Sequence, residues 1–208
     1  MLVGIVNYGA GNLYSIMGAL EYLKIPYELV SSQERLSSCS HIILPGVGSF
    51  RKAMEKLHEL NFYDPIIHCT RELNIPILGI CLGMQLLCTS SDEDGFTKGL
   101  NLIGGHFALF DSSRRKVPHV GFDSAVPDSG SVLFKEIAEE VDFYFVHSYR
   151  LLETDSDTKY AYSVHDGERF ISAFEKKNIF GTQFHPELSQ GNGLKLLGNF
   201  VQLTTVNG

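Results

Sequence analysis

Apolar residues follow two patterns in the first half of the chain. Short continuous apolar or β-rich runs predict strands, and these runs are Leu2–Val6, Tyr27–Val30, His41–Leu44 and Pro76–Ile80. Between them, apolar residues at helical spacing predict helices over Leu13–Leu23, Arg51–Leu60, Asp64–Leu73 and Cys81–Ser90. Apolar strands that alternate with helices are typical of a parallel sheet covered on both faces, so the predicted fold class is α/β with a mostly parallel central sheet.

From Gly99 onward the segments are typical of antiparallel strands. They are Leu102–Phe110, Phe143–Tyr149, Tyr160–Asp166 and Arg169–Phe184, the last with a predicted hairpin turn at Lys176–Asn178. A closing helix is predicted over Gly193–Leu203. No repeat, linker or boundary interrupts the chain, so we expect a single domain over residues 1–208.

Composition narrows the class of protein. The chain is 44% hydrophobic and 20% charged over 208 residues, which is typical of an ordered globular protein with one core. A formal charge of -7 without clustered Lys and Arg argues against a nucleic-acid partner, and the longest basic run, Arg114–Lys116, is interpreted as a solvated loop. The N-terminus lacks both a basic signal-peptide region and a long apolar span, so we expect no membrane partner and a cytoplasmic location.

The four cysteines indicate neither a metal site nor a disulfide. Cys39, Cys69, Cys81 and Cys88 lack the C-x-x-C spacing of zinc and redox sites. Cys81 and Cys88 would lie about 10 Å apart along one helix, which is too far for a disulfide. Free thiols and no bound metal are therefore expected.

Cys81 lies in the stretch GICLGMQLL, between a predicted strand and a predicted helix. Gly79 and Gly83 would allow a sharp strand-to-helix turn, as at a nucleophile elbow with cysteine in place of serine. The helix N-terminus favours the thiolate, the Leu82 N–H could donate to an oxyanion, and Gln85 lies on the same helix face as Cys81. The alternative is a packed core cysteine at a strand end.

Two further loops could complete a catalytic site. In FHPE, His185 follows a predicted strand, and Glu187 could orient its imidazole, unless both simply lie in a solvated loop. The other seven histidines are interpreted as helix, turn or edge-strand residues. In LPGVGSF, Gly46 and Gly48 flank Val47 in a backbone that could supply a second oxyanion donor, although a plain strand-to-helix turn is the simpler interpretation. The order Cys, His, Glu differs from that of an α/β-hydrolase.

Together LPGVGSF, GICLGMQLL and QFHPE resemble the class I glutamine amidotransferases. NYGAGNLYS, KVPHVGF, YFVHSY and GLKLLGNF are similar to the branch formed by the glutaminase subunits of imidazole glycerol phosphate synthase. The resemblance spans nearly the whole chain. It implies a flavodoxin-like, three-layer fold, no cofactor, glutamine as substrate, and a (β/α)8-barrel synthase subunit of histidine biosynthesis as partner and acceptor of ammonia.

The resemblance also implies roles for individual residues. Cys81 is then the nucleophile, and His185 is the general base and acid, oriented by Glu187. The oxyanion donors are Leu82 and the segment with Val47 and Gly48, whose peptide is thought to reorient in this family. The residues implied in glutamine binding are Gln85, Ser148, Tyr149 and Gly46. The residues implied at the partner interface are Asn12, His119, Phe122 and Leu188.

Two departures from the branch keep alternatives open. Leu188 stands where the branch usually has lysine, and Phe122 stands where it has tryptophan. The same chemistry could therefore supply ammonia for amidination of a surface-polysaccharide sugar through a different barrel-like partner. A non-enzymatic binding protein that keeps the fold, and a free-standing cysteine hydrolase or redox sensor, are the other hypotheses.

Overall fold

The first half of the chain forms the parallel part of the sheet. The computed structural model describes residues 1–113, 116–138 and 140–203. The strands of this half are β1 (Val3–Val6), β2 (Tyr27–Val30), β3 (His41–Leu44) and β4 (Ile77–Ile80). The helices are α1 (Leu13–Tyr22), α2 (Phe50–Glu59), α3 (Tyr63–Arg71) and α4 (Leu82–Leu87). The strands lie in the order β2-β1-β3-β4, and all neighbouring pairs are parallel.

The second half adds mostly antiparallel strands. They are β5 (Ser90–Ser91), β6 (Thr97–Lys98), β7 (His106–Leu109), β8 (His119–Pro127), β9 (Val141–His147), β10 (Tyr149–Leu151), β11 (Lys159–His165), β12 (Glu168–Lys176) and β13 (Ile179–Thr182). After β4 the sheet continues in the order β13-β12-β10-β7-β5-β6, while β11 connects β12 to the β8–β9 hairpin. Helix α5 (Gln190–Val201) follows.

Helices cover both faces of the sheet. Along β3, Ile42 and Leu44 belong to the apolar cluster under α2, α3 and α4, whereas Ile43 belongs to the cluster under α1 and α5. This alternation is what a pleated strand between two helical layers requires. The predicted α/β fold is confirmed, with a mostly parallel half and an antiparallel extension. Within the described ranges, no helix has the length and hydrophobicity to cross a membrane.

Several predicted elements differ from those in the structure. Helix α4 ends at Leu87, because the loop after Gly99 donates backbone hydrogen bonds to the carbonyls of Leu86, Leu87 and Cys88. Strand β8 was not predicted, since its run lacks clear alternation. The hairpin turn between β12 and β13 is confirmed, with Lys176 paired to Ile179. All four cysteines are free thiols, as predicted. Of the basic run, Arg114 and Arg115 lie outside the described residues.

The sheet order brings three distant loops together. Strand β13 is parallel to β4, with Thr182 beside Ile80, and β3 lies on the other side of β4. Parallel neighbours end at the same edge of a sheet, so the segments that follow β3, β4 and β13 meet there. These are the three segments that carry the predicted catalytic motifs.

Candidate active site

Cys81 lies on a strained turn between β4 and α4. Its φ of 53° and ψ of -110° lie outside the regions that a side-chain-bearing residue favours. The Cys81 N–H donates to Thr182 O at 2.7 Å, which holds the turn against β13. The side chain is only 7% exposed. This is the geometry of a nucleophile elbow, in which the turn directs the reactive atom out of the sheet edge.

The two flanking glycines serve a different purpose from the one predicted. The bend is made by Cys81 itself, and the glycines permit close backbone packing around it. A Cβ on Gly83 would lie 1.8 Å from Leu44 O, and a Cβ on Gly79 would lie 2.6 Å from the Gly83 carbonyl group. The start of α4 is therefore wedged between β4 and the end of β3, which only glycine allows.

His185 and Glu187 form a buried pair beside this turn. His185 Nδ1 lies 2.8 Å from Glu187 Oε1, and the two side chains are 4% and 1% exposed. A solvated surface loop is therefore excluded. The loop is fixed by the His185 N–H, which donates to Tyr144 O at 2.9 Å, and by the Ser189 hydroxyl, which donates to His185 O at 2.6 Å.

The electrostatic surroundings favour a charged imidazole. Nε2 of His185 is buried and makes no hydrogen bond of ordinary geometry. Burial alone would lower the pKa of His185, but interaction with the nearby Cys81 thiolate and Glu187 carboxylate raises it to about 10. Such an imidazolium can hold a proton for a leaving group, and it stabilises an adjacent thiolate.

These groups open into one cavity of about 300 Å³. The predicted residues that line it are Val47, Gly48, Cys81, Leu82, Gln85, Ser148, Tyr149 and His185. The structure thus brings the predicted catalytic, oxyanion and substrate-binding segments to one place. Gly46 does not line the cavity. A Cβ at this position would lie 2.8 Å from both Gly83 N and Leu82 Cβ, so Gly46 packs behind the elbow.

The loop after β3 is held from both ends. The Tyr8 hydroxyl donates to Pro45 O at 2.8 Å, and Ser49 Oγ donates to Asp94 Oδ2 at 2.5 Å. Between these anchors, Gly48 has a φ of +96°, a conformation in which glycine is favoured. Val47 and Gly48 are exposed at the cavity mouth. Their N–H groups are therefore in a segment that can turn toward a ligand.

Two buried side-chain amides connect Gln85, the predicted substrate-binding residue, to Cys81, the predicted nucleophile. Gln85 Nε2 donates to Gln183 Oε1 at 3.1 Å, and Gln183 Nε2 donates to Cys81 Sγ at 3.7 Å. Gln183 is fully buried, so its amide orientation is fixed. With its nitrogen donated to Gln183, Gln85 has its carbonyl oxygen left for a substrate N–H.

Four lining residues were not predicted from the sequence: Glu93, Pro118, Val146 and His147. Glu93 Oε2 accepts from Phe50 N at 2.8 Å, and burial raises the pKa of its carboxyl group. It is the acidic residue of the cavity wall and thus a natural partner for a ligand ammonium group. Its run, SSDEDGF, has the composition of an ordinary loop. His147 could have been predicted to lie at the site, because it directly precedes the implied substrate-binding residues Ser148 and Tyr149.

The interpretation of the other seven histidines as helix, turn or edge-strand residues did not anticipate a cluster of three of them. His119, His147 and His165 pack together beside the cavity, and the rings of His119 and His165 are stacked with centroids 4.1 Å apart. Burial lowers the pKa of His147 to about 3. His119 is 4% exposed, so its side chain is not available to a partner as the resemblance implied. Among the described residues, His119, Asp123 and His165 are the one group of three with converging ligand atoms.

The other three residues implied at a partner interface are exposed. Phe122 is 52% exposed and Leu188 is 38% exposed. Asn12 is also exposed, and its side-chain oxygen caps α1 by accepting from Ser15 N at 3.4 Å. The Leu188 N–H donates to His185 O at 3.1 Å. Phe122 contacts Tyr144, whose ring centroid lies 6.5 Å from that of His185.

Comparisons with known proteins agree with this geometry. The family described as "Glutamine amidotransferase class-I" matches residues 4–203. The chain is 44% identical to "Imidazole glycerol phosphate synthase subunit HisH 1" of Parasynechococcus marenigrum (strain WH8102), over 98% of this chain and 99% of the relative. It is 42% identical to "Imidazole glycerol phosphate synthase subunit HisH" of Chlorobium chlorochromatii (strain CaD3), over 97% of this chain and 100% of the relative.

Solved structures share the fold at lower identity. A structure described as "Crystal structure of glutamine amidotransferase" has a TM-score of 0.77 at 16% identity, covering 96% of this chain and 97% of that one. The chain belongs to the class-I glutamine amidotransferase family. Within it, the resemblance to the glutaminase subunit of imidazole glycerol phosphate synthase is confirmed by relatives that match almost end to end.

Proposed function

We propose that this protein hydrolyses glutamine at Cys81 and delivers the ammonia to a (β/α)8-barrel synthase subunit in histidine biosynthesis. The observation that supports it best is that one cavity is lined by both Cys81 and His185, and that His185 is paired with the buried Glu187. The relatives named for imidazole glycerol phosphate synthase, which match over nearly the whole chain, support the choice of pathway.

The proposed reaction begins when the Cys81 thiolate attacks the side-chain amide carbon of glutamine. A C–S bond forms, and the carbonyl electron pair moves to oxygen, where the N–H of Leu82 and one from the Val47–Gly48 segment stabilise it. The tetrahedral intermediate collapses, and ammonia leaves with a proton from His185. Water, deprotonated by His185, then cleaves the thioester to release glutamate.

The cavity wall offers groups for the rest of the substrate. The Glu93 carboxylate can pair with the α-ammonium group of glutamine, and the Gln85 carbonyl oxygen can accept one of its N–H groups. Ser148 and Tyr149 also line the cavity, and their polar groups can contact the α-carboxylate. The cavity of about 300 Å³ is large enough for one amino acid.

The partner is proposed to cover an exposed apolar surface beside the cavity. On the β8–β9 hairpin, Val120 pairs with Val146 and Phe122 pairs with Tyr144. Alternate residues of a strand share a face, so these four form one surface, which we call the apolar hairpin face. Val120 is 55% exposed, and Val146 also lines the cavity. A partner docked there would close the cavity and receive ammonia without its loss to solvent.

The test is glutamate release from glutamine with a histidine-pathway synthase subunit, in the presence and absence of that subunit's nucleotide substrate. Large stimulation by the nucleotide, abolished in Cys81→Ala, is expected. Glutaminase activity without association or stimulation would overturn the histidine assignment and leave the glutaminase chemistry standing. No hydrolysis under any condition would overturn both.

A second candidate function keeps the same glutamine hydrolysis and differs only in the molecule that accepts the ammonia. The two departures from the branch, Phe122 and Leu188, are both exposed next to the cavity, where a partner would contact them. That placement favours a different barrel-like partner, such as one used to amidinate a surface-polysaccharide sugar. Leu188→Lys restores the residue usual in the branch, so it is expected to tighten association with a histidine-pathway barrel. Leu29→Lys, with 39% exposure on the distant edge strand β2, is the matched control.

A further inference from the structure

A histidine and an aspartate beside the cavity face each other in a way that calls for a cation. The His147 Nδ1–H donates to Tyr149 O at 2.7 Å, because a carbonyl oxygen can only accept. His147 is buried and its ring nitrogens meet a carbonyl and an imidazole, so it is neutral and its Nε2 carries a lone pair. His119 Nδ1, 3.0 Å from that lone pair, must therefore be the donor.

The tautomer of His119 then directs a lone pair at a carboxylate. With Nδ1 of His119 donating to His147, Nε2 is the nitrogen that faces Asp123, and it lies 3.4 Å from Asp123 Oδ2. Two electron-rich atoms at this distance repel unless a cation lies between them. A proton shared by such a pair gives a contact of about 2.7–2.9 Å. In a tetrahedral zinc site with bonds of about 2.05 Å, by contrast, neighbouring ligand atoms lie about 3.3 Å apart.

His165 supplies a third ligand. Its Nε2 lies 2.7 Å from Lys116 O and donates to it, so its Nδ1 carries the lone pair. One ring nitrogen of each histidine and one carboxylate oxygen of Asp123 all lie within 4.8 Å of one another. Both histidines thus have their second nitrogen donating to a protein acceptor, which is the usual support for metal-binding imidazoles.

We propose that His119, Asp123 and His165 bind a divalent metal ion of the zinc class, a site that the sequence did not predict. Two imidazoles and one carboxylate are a donor set suited to such ions. The Asp123 side chain is 34% exposed, which provides an entry route and room for a water as fourth ligand. The His165 ring is stacked on His119 with an interplanar angle of 22°, so binding of the ion by both imidazoles requires the His165 ring to rotate out of this stack.

The ion would join two strands that separate. Strands β8 and β11 are paired only at Ala161 with Pro127 and at Tyr162 with Val126. His119 and Asp123 lie on β8 and His165 lies at the end of β11, beyond those pairs. Metal binding therefore fixes the β8–β9 hairpin to the main sheet and stiffens the wall of the cavity formed by Val146 and His147.

The experiment uses the full chain carrying Cys81→Ala, so that the cysteine and histidine of the active site cannot hold zinc together. After treatment with a chelator, titration calorimetry with Zn²⁺ is expected to show one saturable site. Zinc should raise the melting temperature of this chain by roughly 5 °C at high saturation. Co²⁺ is expected to give the visible absorption of a four-coordinate ion.

Two variants remove single ligands with little change in shape. Asp123→Asn and His165→Phe should each weaken zinc binding at least tenfold and remove the rise in melting temperature. His106→Gln is the control, because it disrupts another His–Asp pair, 2.9 Å apart but with both side chains largely exposed. The proposal is overturned if the parent chain binds no zinc, or if both ligand variants bind it as tightly as the parent does.

Discussion

Replacement of Gly83 with alanine tests how the strained turn at Cys81 is held. The new Cβ would lie 1.8 Å from Leu44 O, whereas a carbon and a carbonyl oxygen normally stay about 3.3 Å apart. The two segments must therefore separate by about 1.5 Å. The new Cβ is fixed directly to the backbone and Leu44 O is a backbone atom, so no side-chain rotation can relieve the overlap.

We expect this separation to affect stability and catalysis together. The free energy of unfolding should fall by about 3 kcal/mol, the upper end of the cost of overpacking. Displacement of the nucleophile by about 1 Å should lower the glutaminase rate by about 100-fold. Urea unfolding followed by circular dichroism measures the first effect, and glutamate release with the synthase partner measures the second.

Replacement of Gly18 with alanine is a control for which the expected change in the free energy of unfolding has the opposite sign. Gly18 lies within α1, and a Cβ there would meet nothing within 4 Å. Gly18→Ala should therefore raise the free energy of unfolding by up to about 1 kcal/mol, as alanine favours a helix, with unchanged activity. If Gly83→Ala behaves like Gly18→Ala, the close packing of α4 against β3 does not hold the turn, and the reasoning is refuted.

Three further predictions concern groups around the nucleophile. Glu187→Gln removes a charge that raises the pKa of His185, so the alkaline limb of the kcat/KM profile should move from near pH 10 to lower pH; an unmoved limb would contradict this. Gln183→Leu removes an amide donor to Cys81, so kcat should fall about 10-fold or more, and iodoacetamide should alkylate Cys81 more slowly; equal alkylation rates would count against it. Glu93→Gln should raise KM for glutamine about 10-fold with kcat retained; a loss confined to kcat would exclude the ammonium-binding role.

Local sequence patterns predicted the fold well because most buried elements are either a continuous apolar run or a run with helical spacing of apolar residues. Continuous apolar runs gave β1, β3 and β4, and their burial on both faces is what such runs indicate. Strand β8 was missed because its exposed residues, Val120 and Phe122, are apolar, so no polar face marks the alternation. An exposed apolar face is a property of a surface and its partners, which local periodicity does not encode.

The residues proposed to be catalytic stand in short motifs that the sequence displays, but the residues that support them do not. Cys81, His185 and Glu187 stand in turns whose glycine and proline neighbours indicate unusual backbone. Gln183 contacts Cys81, and Glu93 contacts Phe50 at the cavity wall, through tertiary hydrogen bonds that span 102 and 43 residues. Nothing local distinguishes a glutamine in a buried strand end, or a glutamate in an acidic loop, from its many ordinary counterparts.

The position of β13 explains why this site needs the whole chain. A parallel sheet of β1 to β4 alone would present Cys81 and the Val47–Gly48 segment at one edge, with no base. The antiparallel extension returns the chain through the β12–β13 hairpin, and β13 then lies parallel to β4, so that His185 leaves the sheet beside Cys81. The same return places the β8–β9 hairpin over the site through the bond from His185 N to Tyr144 O. The proposed base His185 and the apolar hairpin face are thus coupled, and a partner that moves the hairpin can act on the imidazole through a single hydrogen bond.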